Sequence, residues 1–359
     1  MFRFRRRGEF PAIVCTILFA AAFAVAAADS PTETPKKELI FLNWSEYMDP
    51  GLLEEFEKRF NVKVTEVYFE SDETRDDMLV ETDGKGYDVI LASGITLRNY
   101  EKRGWLAPLG ASEVPNLKHV DARWLDVFPE SRGYAVPFFW GTTGIGYRKD
   151  LVQGEIDSWM QLYRPGEGLR GKFFMNKYSR DVVGMALKAL GFSANSTDSS
   201  ELAAAEALVF EQKPYVKDYF YPALNAKSAL VTGKVYAAMM FNGDVLMVQE
   251  HHPEITYVLP KEGGNIWVDY LAVGEASTKK DLAYQFIDFL NEPEIAARLA
   301  QFVYFATPNK AAEGLLPREF IEDPVIYPDA ATLQRSEVYS HLPAKVIRRI
   351  NGIFARLLQ

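Results

Sequence analysis

The order of apolar and polar residues from position 38 onward predicts strands that alternate with helices. The short apolar run at 39–42 is typical of a buried strand, and strands are also expected at 62–69, 86–91 and 173–175. Between them, apolar residues recur at helical spacing, as in 52–60, with charged residues on the opposite face. Asp49 followed by Pro50 predicts a helix start, and the acidic segment 72–81 predicts an exposed helix. This alternation predicts an α/β fold with a mostly parallel sheet flanked by helices.

The second half of the chain repeats the pattern. Strands are expected at 235–241, 255–259 and 267–273, and helices at 180–190, 202–210, 281–290, 293–301 and within 338–358. The 359 residues correspond to about two domains. We therefore predict two α/β lobes, with the Gly- and Thr-rich segment 140–147 as the first crossing between them. Its glycines, Gly141, Gly144 and Gly146, are expected in a hinge or turn.

The first 28 residues have the features of a secretory signal peptide. Four arginines at positions 3–7 precede an apolar run at 13–25, and three alanines precede Asp29. Cleavage after Ala28 would leave 331 residues with a net charge of −12 and no cysteine, because Cys15 lies in the removed segment. Residues 29–36 are predicted to be a polar tether. An uncleaved membrane anchor remains the alternative.

Composition and motifs exclude several functions. Apolar residues make up 48% and charged residues 25%, as in globular proteins, and the net charge is −9 with no Lys/Arg-rich stripe. Nucleic acid is therefore not an expected partner. The four histidines lack metal-site spacing, and neither a nucleophile elbow nor a phosphate-binding glycine loop is present. An exported hydrolase with two carboxylates across a cleft stays open.

Aromatic and acidic residues follow the predicted strands. In open α/β sheets, ligands bind beyond the carboxyl ends of the strands. There lie Trp44 and Glu46, Ser93, Tyr178 and Asp181, Phe241 and Asp244, Trp267 and Asp269, and Tyr304 with Phe305. Aromatic rings attract ammonium groups, and carboxylates neutralise a desolvated positive charge. The sequence therefore predicts a cleft for a cation.

An ordered series of short motifs resembles one family. The segments are 43–47 (NWSEY), 52–56 (LLEEF), 69–73 (FESDE), 86–89 (GYDV), 260–264 (PKEGG), 267–269 (WVD), 306–309 (ATPN) and 327–330 (YPDA). The chain resembles the spermidine/putrescine-binding receptors of bacterial polyamine ABC transporters. This resemblance implies a two-lobed periplasmic-binding-protein type II fold, with lobe 1 formed by 37–142 plus 269–312 and lobe 2 by 147–266 plus 318–359.

The resemblance also implies a set of ligand-binding residues. Trp44 and Trp267 would be aromatic walls, and Asp269 would hold a terminal ammonium group. The other positions carried over from the family are Ser45, Glu46, Ser93, Tyr178, Asp181, Phe241, Asp244, Phe305 and Tyr339. The implied protein is a monomeric extracytoplasmic receptor without a cofactor or catalytic residue, which delivers its polyamine to membrane permease subunits.

The chain departs from the family pattern at several of these positions. Tyr178 stands where spermidine-preferring members have an Asp, whereas Asp244 matches a carboxylate of the putrescine-type receptors, which favours a diamine slightly. Asp181 stands where the family has a Glu and is one methylene shorter. Phe305 replaces a Tyr, so a phenol is missing unless Tyr304 supplies it. Taken singly, Phe241 and Phe305 are typical core residues and Asp244 a typical helix N-cap. A receptor of the same architecture for another small amine or other solute remains open.

Overall fold

Strands and helices alternate through residues 37–359, the part of the chain that the computed structural model describes. The predicted signal peptide at 1–28 and the tether at 29–36 lie outside the described residues. The strands are β1 Lys37–Trp44, β2 Val62–Phe69, β3 Val89–Ser93, β4 Ala135–Arg148, β5 Phe173–Met175, β6 Asp218–Tyr219, β7 Ala237–Phe241, β8 Ile255–Val258, β9 Asn265–Val273 and β10 Glu337–Val338.

The helices between these strands differ widely in length. They are α1 Pro50–Phe60, α2 Asp72–Glu81, α3 Gly94–Lys102, α4 Ala122–Asp126, α5 Met160–Tyr163, α6 Ser179–Ala189, α7 Ser199–Gln212, α8 Asn242–Gln249, α9 Lys280–Leu290, α10 Pro293–Val303, α11 Lys310–Glu313, α12 Arg318–Ile321, α13 Ala330–Arg335 and α14 Ala344–Leu357. Within residues 37–359, none of them is long and apolar enough to span a membrane.

The strands form a mixed sheet in the order β2-β1-β3-β9-β4-β7-β5-β6, with β10 beside β9 and β8 beside β4. Strand β1 is parallel to β2 and β3, and β5 is parallel to β6 and β7. The pairs that involve β4, and the pair β3–β9, are antiparallel. The sheet is therefore parallel at its outer parts and antiparallel at its centre.

Strand β4 joins the two parts of the sheet. Its residues from Ala135 to Thr142 pair with β9, and those from Thr143 to Tyr147 pair with β7. All fourteen residues of β4 are buried, so the segment has no polar–apolar alternation from which a strand is usually predicted. The crossing predicted at 140–147 is thus part of a continuous strand, not a turn.

The glycines of β4 provide room for neighbouring side chains. A Cβ added at Gly141 would overlap the Trp267 ring and the Asn242 side chain, and one at Gly144 would overlap Tyr257. One at Gly146 would press on Val245 of α8. These positions therefore allow close packing against β4, and the expectation of a turn is wrong.

Apolar residues pack in three clusters. The largest contains buried residues from Leu39 to Trp140 and from Val268 to Ile326. The second contains residues from Ile145 to Met239 together with the end of the chain up to Leu357. A small third cluster includes Phe174 and Val248. The change from the first to the second cluster falls within β4.

Local sequence signals explain several element ends. The Asp49 side chain accepts a hydrogen bond from the Gly51 amide at the start of α1, as predicted. Strand β2 and helix α2 begin and end at the predicted residues. However, α2 is not simply an exposed acidic helix, because Arg75 and Leu79 on it are buried.

Candidate functional site

Asp269 lies at the centre of the sheet, where β3 and β9 meet. In the antiparallel register it is opposite Ser93, the last residue of β3. Its side chain is only 8% exposed, and the Tyr47 hydroxyl donates a 3.0 Å hydrogen bond to Oδ2. Ser93 and Asp269, two separately predicted site residues, are therefore neighbours in the sheet, and Tyr47 lies beside Asp269.

Asp181 lies in the first turn of α6 and is 5% exposed. The Tyr339 hydroxyl donates to its Oδ1 at 2.7 Å, and the Asn176 side-chain amide donates to its Oδ2 at 2.7 Å. The guanidinium group of Arg180 lies 4.6 Å from the Tyr339 ring but donates to Asn195 and the Ser340 carbonyl. The hydrogen-bond donors of Asp181 are therefore neutral.

Asp244 lies in the first turn of α8 and is 8% exposed. Helix α8 is capped at Phe241, so Asp244 is not the N-cap. Instead the Tyr221 hydroxyl donates to its Oδ2. The same phenol oxygen accepts a 3.0 Å hydrogen bond from the Phe241 amide. The Tyr221 hydroxyl therefore links the end of β7 to Asp244.

Burial raises the pKa of all three carboxyl groups. It brings the pKa of Asp181 to about 6 and the pKa values of Asp244 and Asp269 to about 7, although phenol or amide donors oppose the shift in each case. Nearby negative charges raise them further: Asp72 acts on Asp181 and Asp269, and Glu46 acts on Asp244. Asp181 and Asp269 are therefore both influenced by Asp72, whereas Asp244 is influenced by Glu46.

Aromatic rings surround these acids. The Phe241 ring is stacked at 25° on Tyr178, with centroids 6.0 Å apart, and lies 5.7 Å from Trp267. Tyr221 lies 5.5 Å from Phe241. Phe305 packs edge-on against Trp267 at 4.7 Å and is only 3% exposed, so it supports Trp267 from behind.

Tyr178 and Tyr47 each interact electrostatically with more than one of the acids. Burial raises the pKa of the Tyr178 phenol, and the charges of Asp72, Asp181 and Asp244 raise it further. Burial likewise raises the pKa of Tyr47, with contributions from Asp269 and then Asp244. The pKa of each tyrosine therefore depends on acids from both parts of the sheet.

The remaining predicted residues lie after β1. Trp44 packs against Phe69 with a centroid distance of 4.3 Å and belongs to the largest apolar cluster. Ser45 and Glu46 are exposed, and Glu46 has a positive φ of 60°. Trp44 and Ser45 are thus not packed among the aromatic rings that surround the three acids. The charge of Glu46, however, raises the pKa of Asp244. The hydroxyl of Tyr304 donates to Glu250 and does not replace a phenol at Phe305.

Sequence reasoning missed three residues of this site: Asp72, Asn176 and Tyr221. It placed Tyr47 after β1, within the segment 43–47, but gave it no ligand role. Asp72 follows the carboxyl end of β2, so the strand-end rule that located the other acids also applies to it. Tyr221 follows the two-residue strand β6, which is too short to leave a pattern in the sequence.

The three buried acids have no cationic partner in the described part of the chain. No Lys, Arg or His among residues 37–359 forms an ion pair with Asp181, Asp244 or Asp269. Nor are any three His, Cys, Asp or Glu side chains of that region arranged so that they could hold a metal ion. Burying an unpaired carboxylate is costly, so the arrangement is suited to an organic cation held between acids and rings.

Comparison with known proteins identifies the family. Residues 51–327 match the model for bacterial extracellular solute-binding proteins. The chain belongs to this family. The spermidine/putrescine-binding periplasmic protein of Escherichia coli is 32% identical over 323 residues, which cover 89% of this chain and 91% of the relative. The putrescine-binding periplasmic protein SpuD of Pseudomonas aeruginosa is 30% identical, covering 95% and 97% of the two chains.

Solved structures of related solute-binding proteins have the same architecture. A spermidine/putrescine ABC transporter protein from Listeria monocytogenes, named as putative, superposes with a TM-score of 0.81 at 32% identity. The match covers 90% of this chain and 99% of that one. The substrate-binding protein PotD of Streptococcus pneumoniae gives 0.77 at 28% identity, with 90% and 99% covered. As a solute-binding protein of this kind, the chain has the predicted two-lobed type II fold.

Proposed function

We propose that this solute-binding protein is an extracytoplasmic receptor for a small polyamine, putrescine or spermidine, which it delivers to an ABC importer. The observation that carries the proposal is the group of three carboxylates, each more than nine-tenths buried, which only neutral groups of residues 37–359 hydrogen-bond. A bound polycation compensates their charge, and the rings beside them accept its methylene chain and ammonium ends. The names of the relatives in Escherichia coli and Pseudomonas aeruginosa support the same ligand class.

The mechanism we propose is closure of two lobes around the ligand. Asp269 and Trp267 belong to β9, whereas Asp181 and Asp244 belong to α6 and α8 on the other side of β4. A diamine or triamine contacts both sets only in the closed form, so binding shifts the population of the protein toward that form. The permease would recognise the closed receptor, and no chemical step is required of it.

We propose the lobe boundaries predicted from the sequence, with one adjustment. The ranges 37–142 plus 269–312 and 147–266 plus 318–359 agree with the change of apolar cluster within β4. Phe320 and Ile326 pack in the first cluster, which favours a second boundary after about residue 326. Export by a signal peptide cleaved near Ala28, a periplasmic location and a monomeric state complete the proposal.

The test is a ligand screen on the purified protein. We expect putrescine and spermidine to raise the melting temperature, since a ligand that binds the native state stabilises it by mass action. Neutral diols of matched length serve as controls and should have no effect. Stabilisation by a sugar or an anionic solute, without any by amines, would contradict the polyamine assignment.

Substitution of Asp269 tests the site itself. Asp269→Ala should weaken polyamine binding by about 3–5 kcal/mol in calorimetry, because it leaves a buried ammonium group without its carboxylate. The matched control is Asp77→Asn, since Asp77 is an exposed acid on α2. Equal affinities of the Asp269 variant and the wild-type protein would remove Asp269 from the binding site.

A further inference from the structure

Asp72 faces the binding site but has no assigned role. It is the first residue of α2, and Ser71 caps the helix. The Ser93 hydroxyl donates a 2.8 Å hydrogen bond to its Oδ2. Ser93 in turn is paired with Asp269 in the β3–β9 register, so Asp72 is connected to the site by one hydrogen bond and one strand pairing.

Asp72 shares one buried arginine with Asp76. The Arg75 side chain is fully buried and donates to Asp72 Oδ1 at 2.6 Å and to Asp76 at 3.3 Å. It also donates to the Tyr100 hydroxyl at 2.7 Å. One guanidinium charge thus faces two carboxylates, and a net negative charge remains in this group.

Asp72 and Asp76, the two acids that pair with Arg75, lie in different environments. Asp76 accepts a hydrogen bond from Tyr100 and lines a surface groove with Asn99 and Trp105. The Asp72 carboxylate is 38% exposed, and its charge acts on Asp181, Asp269 and Tyr178. Asp72 therefore belongs to the ligand side of α2.

Two of the buried acids, Asp244 and Asp269, can still accept further hydrogen bonds. Asp244 and Asp269 are each 8% exposed, and in each one oxygen accepts a hydrogen bond from a tyrosine. The second oxygen of each accepts none from residues 37–359. These unpaired oxygens indicate that a donor from outside the chain completes the site.

We infer that Asp72 is a fourth carboxylate of the ligand site and selects amines with three cationic centres over those with two. The inference rests on the proposed polyamine function and refines it. A diamine has one ammonium group for each of two acidic positions, whereas the central amine of a triamine needs a further acid. Asp72, which is near both Asp181 and Asp269, supplies that acid where Tyr178 does not.

Calorimetric titration of wild-type protein, Asp72→Asn and Asp76→Asn with putrescine and spermidine tests the inference. Wild-type protein should bind spermidine more tightly than putrescine. Asp72→Asn should lower the spermidine affinity about tenfold and the putrescine affinity less than about threefold, since removing a partly exposed ion-pair partner has a moderate effect. Asp76→Asn removes the other acid that pairs with Arg75, and it should change neither the spermidine affinity nor the putrescine affinity.

Further variants and outcomes separate the possible explanations. Asp72→Glu keeps the charge and should keep the spermidine preference, and melting temperatures check that all variants fold. An equal loss for both amines in Asp72→Asn, or the same selectivity change in Asp76→Asn, would overturn the inference. So would wild-type binding of putrescine alone, which leaves the receptor function standing. Absence of any amine binding by wild-type protein would instead reject the polyamine function and this inference with it.

Discussion

Asp244 and Asp269 combine deep burial with a single phenol donor each. Their pKa values are raised to about 7, mainly by burial. A carboxyl group in this state is neutral or charged near physiological pH according to what lies beside it. An ammonium ligand favours the charged form, so binding of the ligand and release of protons are linked at these two residues.

Polyamine affinity should therefore depend on pH. At about pH 8 both carboxyl groups are mostly ionised while the ligand amines remain protonated, so the affinity should be highest there. Below about pH 6 the two protons compete with the ligand, and the affinity should fall by up to about 100-fold per pH unit, about 2.7 kcal/mol. Calorimetry between pH 5 and 9 measures this, and Asp244→Asn should reduce the slope. An affinity that is unchanged from pH 8 to pH 5.5 would contradict the assignment of these acids to the ligand.

The same acids should reduce the stability of the unliganded protein at high pH. A carboxyl group whose pKa is raised on folding favours the native state below its unfolded pKa of about 3.8, and this contribution is lost as the pH rises through its folded value of about 7. At pH 8 the ionised Asp244 thus opposes folding by on the order of 4 kcal/mol.

Asp244→Asn should accordingly raise the melting temperature of the unliganded protein by several degrees at pH 8 and much less at pH 5. The amide oxygen can still accept the hydrogen bond from Tyr221. Scanning calorimetry at the two pH values measures the difference, with Asp77→Asn as the exposed control. A variant that is less stable at pH 8 than wild-type protein would show that the charge is compensated within the chain.

At the scale of secondary structure, β4 and β9 determine where the ligand residues lie. Strand β9 carries Trp267 and Asp269 two residues apart on one face, as alternation predicts. Trp267 packs closely against β4 because Gly141, its pairing partner in the register, has no side chain. The position of the aromatic wall therefore depends on the backbone of β4 as much as on Trp267.

Gly141→Ala should disturb both stability and binding. The added methyl group overlaps Trp267 and Asn242, and overpacking of this kind costs about 1–3 kcal/mol. We expect a lower melting temperature and weaker polyamine binding, measured by thermal unfolding and calorimetry. Gly166→Ala is the matched control, because no atom lies within 4 Å of a Cβ added there. Normal polyamine binding by Gly141→Ala would show that Trp267 is not a ligand wall.

The sequence predicts elements with clear periodicity well and the central strand poorly. Helix α1 follows from its cap and from apolar residues at helical spacing, whereas β4 is buried throughout and rich in Gly and Thr, as a loop would be. The strand-end rule located Asp181, Asp244 and Asp269. It could not locate Tyr221, because β6 forms only by pairing with β5, a contact that no local pattern encodes.

At the scale of the whole molecule, contacts outside the ligand site also join the two proposed lobes. The Tyr304 hydroxyl donates to Glu250, and His341 forms an ion pair with Glu130. Glu130 lies in the first proposed lobe and His341 in the second, two residues after Tyr339 of the ligand site. Under the proposed closure mechanism, we expect these contacts to form as the lobes approach, and therefore to contribute to closure and not to the choice of ligand.

His341→Gln separates these two contributions. Because both partners of the ion pair are partly exposed, its loss should cost at most about 1 kcal/mol, or roughly fivefold in affinity. We expect the affinities for putrescine and spermidine to fall by the same factor, since the variant lowers only the closed population from which both ligands benefit. Calorimetry with both amines measures the factor, and His251→Gln, at an exposed position, is the control. A change in the ratio of the two affinities would mean that His341 acts on the ligand site itself, through Tyr339 and Asp181, and not on closure.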